Sequence, residues 1–443
     1  MGIRLSDHFT YKKLLRFVLP SIAMMVFISV YGVVDGFFVS NFAGKTSFAA
    51  INLVMPFVML LGGIGFMVGT GGTALVSKVL GEGDREKANR YFSMMVFLTL
   101  LLGVLLTAVG IAAMEPVARF LGATDAMIAD SVLYGRIVVG FTTAFMLQNV
   151  FQSFLIAAEK PKLGLLATIA AGLTNILLDA LFVGSFGWGV AGAAIATGIS
   201  QCVGGLLPLF YFLRPNDSLL RLVRTKPELA PLVKACTNGS SELMSSISSS
   251  VVSMVYNHQL LKYIGEDGVS AYGVLMYVQF IFVAIYIGYS VGCAPVIGYH
   301  YGAGNRDELK NLLRKSALLI GSAGVLLTLL ARLLASPLAS IFVGYDETLH
   351  ALTEHAFRLF SFSFLLSGFN IFTSAFFTAL NNGFVSAAIS FLRTLLFQTC
   401  CVLVLPMLFD IDGIWWAITA AEVFAFAISL TFLLTKRKKY GYM

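Results

Sequence analysis

The second half of this 443-residue chain repeats the first half at a constant offset of 221 residues. The stretch GVLLT at 103–107 returns at 324–328, and the same register pairs Pro116 with Pro337. The register also pairs residues within loops: Gly44 with Gly265, Gly81 with Gly302, Gly83 with Gly304, and Arg85 with Arg306. A register that holds through loops as well as apolar stretches indicates an internal duplication. The fold must therefore be built from two equivalent halves.

The chain is too apolar for a soluble fold. Hydrophobic residues make up 58% of it and charged residues 12%, so lipid must surround most side chains. A helix needs about 20 apolar residues to cross the hydrocarbon, and strands cannot account for runs of this length. The predicted fold class is an all-α polytopic membrane protein with twelve spans, the first retained rather than cleaved. The apolar runs place these spans at residues 15–40, 48–77, 91–113, 131–157, 164–186, 190–213, 236–261, 269–299, 312–335, 355–380, 385–409 and 413–434.

The basic residues predict the orientation of the chain. Most Lys and Arg residues lie at the two ends and in the even-numbered loops, the pattern of cytoplasmic segments. Both termini are therefore expected in the cytoplasm of a multi-pass plasma-membrane protein. Although the net charge is +7, its distribution favours contact with anionic lipid and argues against nucleic acid.

The duplication predicts the domain organisation. Because each half has an even number of spans, the two copies are parallel and related by an axis along the membrane normal. We expect an N-lobe at 1–213, a basic cytoplasmic linker at 214–234 and a C-lobe at 235–443. Two six-helix lobes can rock around a central cavity, which is the geometry of alternating access. The expected oligomeric state is a monomer.

Several other protein classes are poorly supported. The five cysteines are odd in number and show neither a disulfide framework nor metal-ligand spacing. The chain has no G-x-S-x-G elbow and no Walker lysine, so it is not expected to be an enzyme or to hold a cofactor.

Two buried acids distinguish the first copy from the second. Asp35 and Asp179 lie inside predicted spans, where an ionisable side chain is costly and indicates function. The repeat register places Tyr256 and Cys400 at the equivalent positions of the second copy. Two further polar residues of the first copy, Asn175 and Thr197, are likewise replaced by apolar residues at the equivalent positions of the second copy, Leu396 and Ile418. The acidic, polar cluster therefore belongs to one lobe only.

These four side chains are expected at one depth. Asp35, Asp179 and Thr197 lie eight to ten residues from the outward loops at Gly44 and Gly187, about 12–15 Å along their helices. Asn175 is one turn before Asp179 and so shares its helix face. Burial and mutual repulsion would let the two acids hold a proton near neutral pH or exchange it for a monovalent cation such as sodium. The alternative is that both acids are satisfied by helix hydroxyls and amides and only hold the lobe together.

Other polar or kinking residues in the spans give weaker signals. Arg393 could form a structural pair with Glu422 or contact a substrate, and both interpretations stay open. The candidates for a substrate or C-lobe polar site are Glu242, Gln148, Gln152, Asn370 and Arg393. The candidate hinges are Pro20, Pro56 and Pro295, for which static kinks are the alternative. Three glycine pairs are expected to pack helices closely: Gly32 with Gly36, Gly65 with Gly69, and Gly288 with Gly292.

The sequence resembles the multidrug and toxic compound extrusion (MATE) transporters over essentially its whole length. The resemblance lies in LPSIAMMVFISVYGVVDGFFVSNFAG from Leu19 and in NILLDALFVGSFGWGVAGAAIATGISQ at 175–201. The loops LGEGDREKA at 80–88 and GYHYGAGN at 298–305 add to it.

The resemblance implies a two-lobed antiporter that exports amphipathic organic cations in exchange for sodium ions or protons. The family's N-lobe cation site maps onto Asp35, Asn175, Asp179 and Thr197. Some members also use acids in the seventh and tenth spans; Glu242 could match the former, but residues 355–380 contain no acid in the membrane-embedded part. A C-lobe ion site is therefore doubtful.

Two other functions remain open on the sequence alone. A flippase for lipid-linked precursors would need a basic cavity, with Arg136 and Arg393 pointing inward. A receptor or scaffold would bind a ligand without gradient-driven flux. Neither the coupling ion nor the substrates follow from the sequence.

Overall fold

A computed structural model describes residues 3–42 and 45–443, and these residues are almost entirely helical. Gly44, which the repeat register pairs with Gly265, lies outside the described residues. The first lobe contains α1 Tyr11–Phe42, α2 Lys45–Gly81, α3 Arg85–Phe120, α4 Ile128–Gly140, α5 Thr142–Ala157, α6 Pro161–Asp179 and α7 Gly189–Leu213. The second contains α8 Leu229–Tyr263, α9 Glu266–Gly302, α10 Arg306–Leu333, α11 Ala335–Val343, α12 Glu347–Phe360, α13 Phe364–Ala379, α14 Gly383–Phe391 and α15 Gln398–Tyr440. Two π-helical segments, Ala180–Ser185 and Leu392–Phe397, follow α6 and α14.

These helices form twelve spans in two lobes, as predicted. Nine described helical stretches are long and apolar enough to cross a membrane, and the pair α4 and α5, bent by 53°, makes a tenth. The stretch Gly383–Tyr440 is 58 residues long and is broken at Asp410 (φ 54°, ψ −135°), so it supplies two spans. The twelfth is α8, which is long enough but too rich in serine to pass on apolarity.

The two lobes contact each other crosswise, α1 against α9 and α2 against α8. The contacts are closest at the end of the bundle that carries both termini, which we call the terminus end. There, a Cβ on Gly71 would overlap the Ala235 carbonyl of α8, and one on Gly81 would overlap the Tyr299 carbonyl of α9. Only glycine lets these backbones approach so closely. The terminus end is therefore closed.

The lobes separate towards the opposite end, which we call the outer end. The face of α1 that packs on α9 includes Ser21, and further along it the Ser29 hydroxyl donates to the Phe280 carbonyl at 3.4 Å. One turn further, no described atom lies within 4 Å of a Cβ placed on Gly32. The expected close packing at Gly32 and Gly36 is therefore absent, because the partner helix has diverged. A cleft between the lobes opens at the outer end.

The other glycine pairs do pack helices. Gly65 and Gly69 contact the backbone of α5, and Gly288 and Gly292 contact α1. Pro20, Pro56 and Pro295 lie inside helices that continue through them, so whether they act as hinges stays a prediction. All five cysteines are free in this structure.

The linker between the lobes is docked on the N-lobe. Its residues 214–228 are not helical, and α8 begins at Leu229. The Asn89 side chain on α3 accepts the Arg221 N–H at 2.9 Å, and the Ser93 hydroxyl accepts the Val223 N–H at 2.8 Å. The Arg85 guanidinium also donates to two linker carbonyls. The linker is thus fixed along α3 rather than hanging free.

Candidate functional site

The structure brings the two N-lobe acids together. Asp35 is in α1, and Asp179 is the last residue of α6, which packs on α1. The Asp35 carboxylate lies close to both the Asp179 carboxylate and the Asn175 amide, without a well-aligned hydrogen bond from Asn175 Nδ2 or to either Asp179 oxygen. The spacing of Asn175 and Asp179, one helical turn, places both on the α1-facing side.

Thr197 joins this cluster through a residue that sequence reasoning missed. The Tyr134 hydroxyl on α4 lies close to Thr197 on α7 and near enough to both carboxylates to interact with them electrostatically. The Tyr134 side chain is 1% exposed. Tyr31, one turn before Asp35, also faces that acid. The site is therefore assembled from α1, α4, α6 and α7.

The polar atoms of the site are poorly satisfied by the protein. Asp179 is fully buried, and neither of its carboxylate oxygens makes a well-aligned hydrogen bond with a described residue. The same holds for Asp35 Oδ1, Asn175 Nδ2 and Thr197 Oγ1. Such groups are expensive in a membrane interior unless something pairs with them. These atoms therefore lack well-aligned protein partners, and the choice between an ion-binding and a purely structural role of the two acids stays a prediction.

The backbone changes its hydrogen-bonding pattern directly after Asp179. Residues Ala180–Ser185 form a π-helix, a segment type that concentrates at functional sites. This π-helix begins directly after Asp179, where α6 ends, and it packs against α7. It thus sets where the Asp179 side chain leaves the helix.

The donor set suits a proton or a hard monovalent cation. Carboxylate, amide, hydroxyl and phenol oxygens are the ligands that hard cations prefer. Two carboxylates that face each other also attract positive charge strongly, because they repel one another when both are ionised. By contrast, no group of three or more His, Cys, Asp or Glu side chains suited to a metal occurs within the described part of the chain.

The equivalent place in the C-lobe has no acid. Tyr256 stands at the position of Asp35, and its ring stacks on Tyr272 with centroids 5.0 Å apart and planes 5° from parallel. Cys400 stands at the position of Asp179 and is exposed. The duplication therefore carries the acid pair in one lobe only.

Arg393 forms an ion pair inside the C-lobe. Its Nε donates to both Glu422 oxygens at 2.9 and 3.0 Å, and its Nη2 lies 2.7 Å from Glu422 Oε1. The Asn370 amide donates to Glu422 Oε2 at 2.7 Å. Of the two interpretations, the structure shows the structural pair linking α13, α15 and the π-segment. Removing one partner of such a buried pair typically costs about 3–5 kcal/mol.

The remaining candidates lie apart from both clusters. Glu242 is on the side of α8 that faces α2, next to Leu243 and Ser246, which approach Gly63. It lies one turn from the close contact of Gly239 with α2, and none of the ion pairs among the described residues includes its carboxylate. Gln148 and Gln152 are buried in α5, with Gln148 packed on Gly204. The predicted substrate residues thus lie in three separate places: Glu242 on α8, Gln148 and Gln152 in α5, and Asn370 and Arg393 beside Glu422.

Comparisons with known proteins agree with this architecture. The MatE family model matches twice, once in each half, at residues 20–181 and 243–402. The multidrug export protein MepA of Staphylococcus saprophyticus is 25% identical over 431 residues, covering 96% of this chain and 94% of MepA. MepA of Staphylococcus haemolyticus is 23% identical over 432 residues, covering 97% and 94%.

Solved structures show the same fold. An outward-facing MATE family transporter of the MOP superfamily superimposes with a TM-score of 0.93 at 22% identity, covering 100% of this chain and 99% of that one. A MOP superfamily transporter from Pyrococcus furiosus superimposes with a TM-score of 0.90 at 23% identity, covering 98% and 96%. With a family match in each half and this shared twelve-helix fold, the chain belongs to the multidrug and toxic compound extrusion (MATE) family of membrane transporters.

Proposed function

We propose that this protein is a secondary active multidrug efflux antiporter that exports amphipathic organic cations in exchange for protons or sodium ions. The observation that carries the proposal is a pair of neighbouring acids in one lobe, Asp179 fully buried and Asp35 half-buried, with three carboxylate oxygens that have no well-aligned partner among the described residues. The names of the MepA relatives, multidrug export proteins, supply the substrate class.

The acid pair couples ion binding to conformation in this proposal. A cation or proton is bound most strongly in the arrangement that holds both carboxylates close, so occupancy favours that arrangement of the N-lobe. Release of the ion leaves two acids that repel, which favours another arrangement. Because an ion shifts the equilibrium only by its difference in affinity between two states, the geometry at Asp35 must change during the cycle.

The cleft suits an organic cation on its way out. A polar stripe runs along α8 and begins at an acid near the closed floor, where Ser246 approaches Gly63 of α2; its residues are Glu242, Ser246, Ser249, Ser253 and Asn257. Ser249, Ser253 and Asn257 are exposed, as expected for side chains that line water. With both termini in the cytoplasm of the plasma membrane, the cleft opens to the outside. The conformation is then the outward-open one. In this proposal the protein works as a monomer.

The alternative functions are less well supported. A flippase would need unpaired cations in the cavity, but Arg393 is neutralised by Glu422 and Arg136 is exposed at the side of α4. The role of a receptor or scaffold does not account for the pair of acids, Asp35 and Asp179, in one lobe.

The proposal is tested in proteoliposomes loaded with a lipophilic cationic dye. A sodium gradient and a pH gradient are imposed separately, and dye efflux is followed by fluorescence. We expect at least one gradient to drive efflux and the matching ionophore to stop it. Efflux driven by neither gradient would refute antiport, and the identity of the effective gradient names the coupling ion.

Tyr134 is expected to tune the affinity for that ion. Tyr134→Phe removes one hydroxyl from the site and should raise the half-saturating ion concentration about 3- to 10-fold, the scale of one net hydrogen bond. The maximal efflux rate should stay close to that of the wild type because both acids remain. Tyr345→Phe, at a side chain that is 83% exposed, is the matched control. An unchanged ion dependence in Tyr134→Phe would exclude the phenol from the site.

A further inference from the structure

The segment that precedes α1 is packed across the terminus end rather than projecting from it. Leu5 and Phe9 are fully buried. The Phe9 ring contacts Phe17 of α1 edge-on, with centroids 5.9 Å apart, and His300 of α9 at 6.4 Å. An apolar side chain from residues 3–10 is thus inserted between the two lobes.

The segment is anchored to both lobes: the Leu5 N–H donates to Glu159 of the N-lobe at 2.6 Å, whereas His8 and Phe9 are held by the C-lobe. Glu308 at the start of α10 accepts the Phe9 N–H at 2.9 Å, and its other oxygen lies 2.6 Å from His8 Nδ1. The Phe9 carbonyl accepts from Asn311 at 3.0 Å and from Lys315 at 2.5 Å. Since residues 3–10 continue into α1 and Leu5 is bonded to Glu159, the segment belongs to the N-lobe, and at His8 and Phe9 it is held by hydrogen bonds to the C-lobe.

The linker makes a similar connection in the other direction. Residues 218–228 lead into α8 of the C-lobe, and their backbone is held on α3 of the N-lobe by Asn89 and Ser93. In the repeat, α3 and α10 are equivalent helices, and so are α1 and α8. In each lobe, the segment before the first helix is therefore hydrogen-bonded to the third helix of the other lobe. Residues 3–10 contact α10 and residues 218–228 contact α3, both at the terminus end.

We propose that residues 3–10 form an inter-lobe strap that holds the terminus end closed and must detach from Glu308 for that end to open. Opening moves α10 away from α1, and the strap cannot follow both helices. Breaking its contacts uncovers the Phe9 side chain and leaves the buried Glu308 carboxylate without its partners. The strap thus stabilises the closed arrangement against the open one. This inference rests on the proposed alternating access.

The test measures the closed end directly, without substrate or gradient. In the full-length protein with its five native cysteines replaced, Lys162→Cys on α6 and Lys310→Cys on α10 carry spin labels, and both positions are exposed. Electron–electron double resonance then reports the distance between the lobes at this end. Glu308→Ala should raise the ratio of long to short distances on the order of tenfold, the scale for losing hydrogen bonds to a charged group.

The matched control is Asp307→Ala, the same kind of change at the neighbouring exposed acid, which should leave the distances unchanged. His8→Ala keeps the Glu308 anchor for Phe9 and should give a smaller shift in the same direction, so it carries the test if Glu308→Ala does not fold. Wild-type distances in both variants, or an equal shift in Asp307→Ala, would overturn the strap. Because no transport is measured, failure here is distinct from failure of dye efflux to follow any gradient.

Discussion

Asp35→Asn is expected to reduce gradient-driven efflux to the level of protein-free liposomes. Asparagine keeps the size of the side chain but removes the charge that makes the site bind a cation or proton. With only Asp179 left, the repulsion that drives the change of state is also lost. Dye efflux from proteoliposomes under the effective gradient measures the outcome, and Asp179→Asn should behave in the same way.

Loss of folding can be separated from loss of function. Removing the charge of Asp35 beside the fully buried Asp179 relieves an unfavourable interaction, so Asp35→Asn should unfold at the same temperature as the wild type or higher. Asp125→Asn, at an exposed acid of the same lobe, is the matched control and should transport normally. Normal efflux by Asp35→Asn would remove this residue from the mechanism.

Gly71→Ala is expected to keep the terminus end from closing. The added methyl group would overlap the Ala235 carbonyl and approach the Gly239 nitrogen, and these are backbone atoms that cannot rotate away. Overpacking of this kind typically costs 1–3 kcal/mol, roughly a 5- to 150-fold change in an equilibrium. The spin-label distance between positions 162 and 310 should lengthen, and efflux should fall with it.

The control for this change lies at the outer end of the same interface region. Gly273→Ala adds the same methyl group where no described atom is within 4 Å, so it should alter neither distance nor efflux. If Gly71→Ala keeps the wild-type distance, the interface accommodates the extra methyl group without separating, and the close glycine contact is not needed for closure.

Much of the architecture could be predicted because it follows from apolarity and duplication. Asp35, Asn175, Asp179 and Thr197 could be placed at one level by counting residues from the loops, since helix rise is constant. Tyr134 could not, because it is one of 16 tyrosines and nothing in its neighbourhood marks it. Pairing across helices depends on rotation and tilt, which residue counts do not contain.

The conformation itself was also beyond the sequence. Gly32 and Gly36 have the spacing of a packing motif, yet they line an open region, whereas Gly71 and Gly81 form the contact. The same glycines would be packed or free depending on how the lobes tilt. Arg393 was likewise ambiguous, because its distance to Glu422 depends on how three helices meet.

The serine-rich composition of α8 bears on how the chain enters the membrane. Among the described long helices it falls short of the apolarity that carries a segment into lipid unaided. Its hydroxyls are largely turned back onto its own carbonyls, as at Ser246, Ser248 and Ser249, which lowers but does not remove their cost. During biogenesis α8 should therefore depend on α2, already inserted, as a neighbour. The second copy of the duplication, expressed alone, would lack that support.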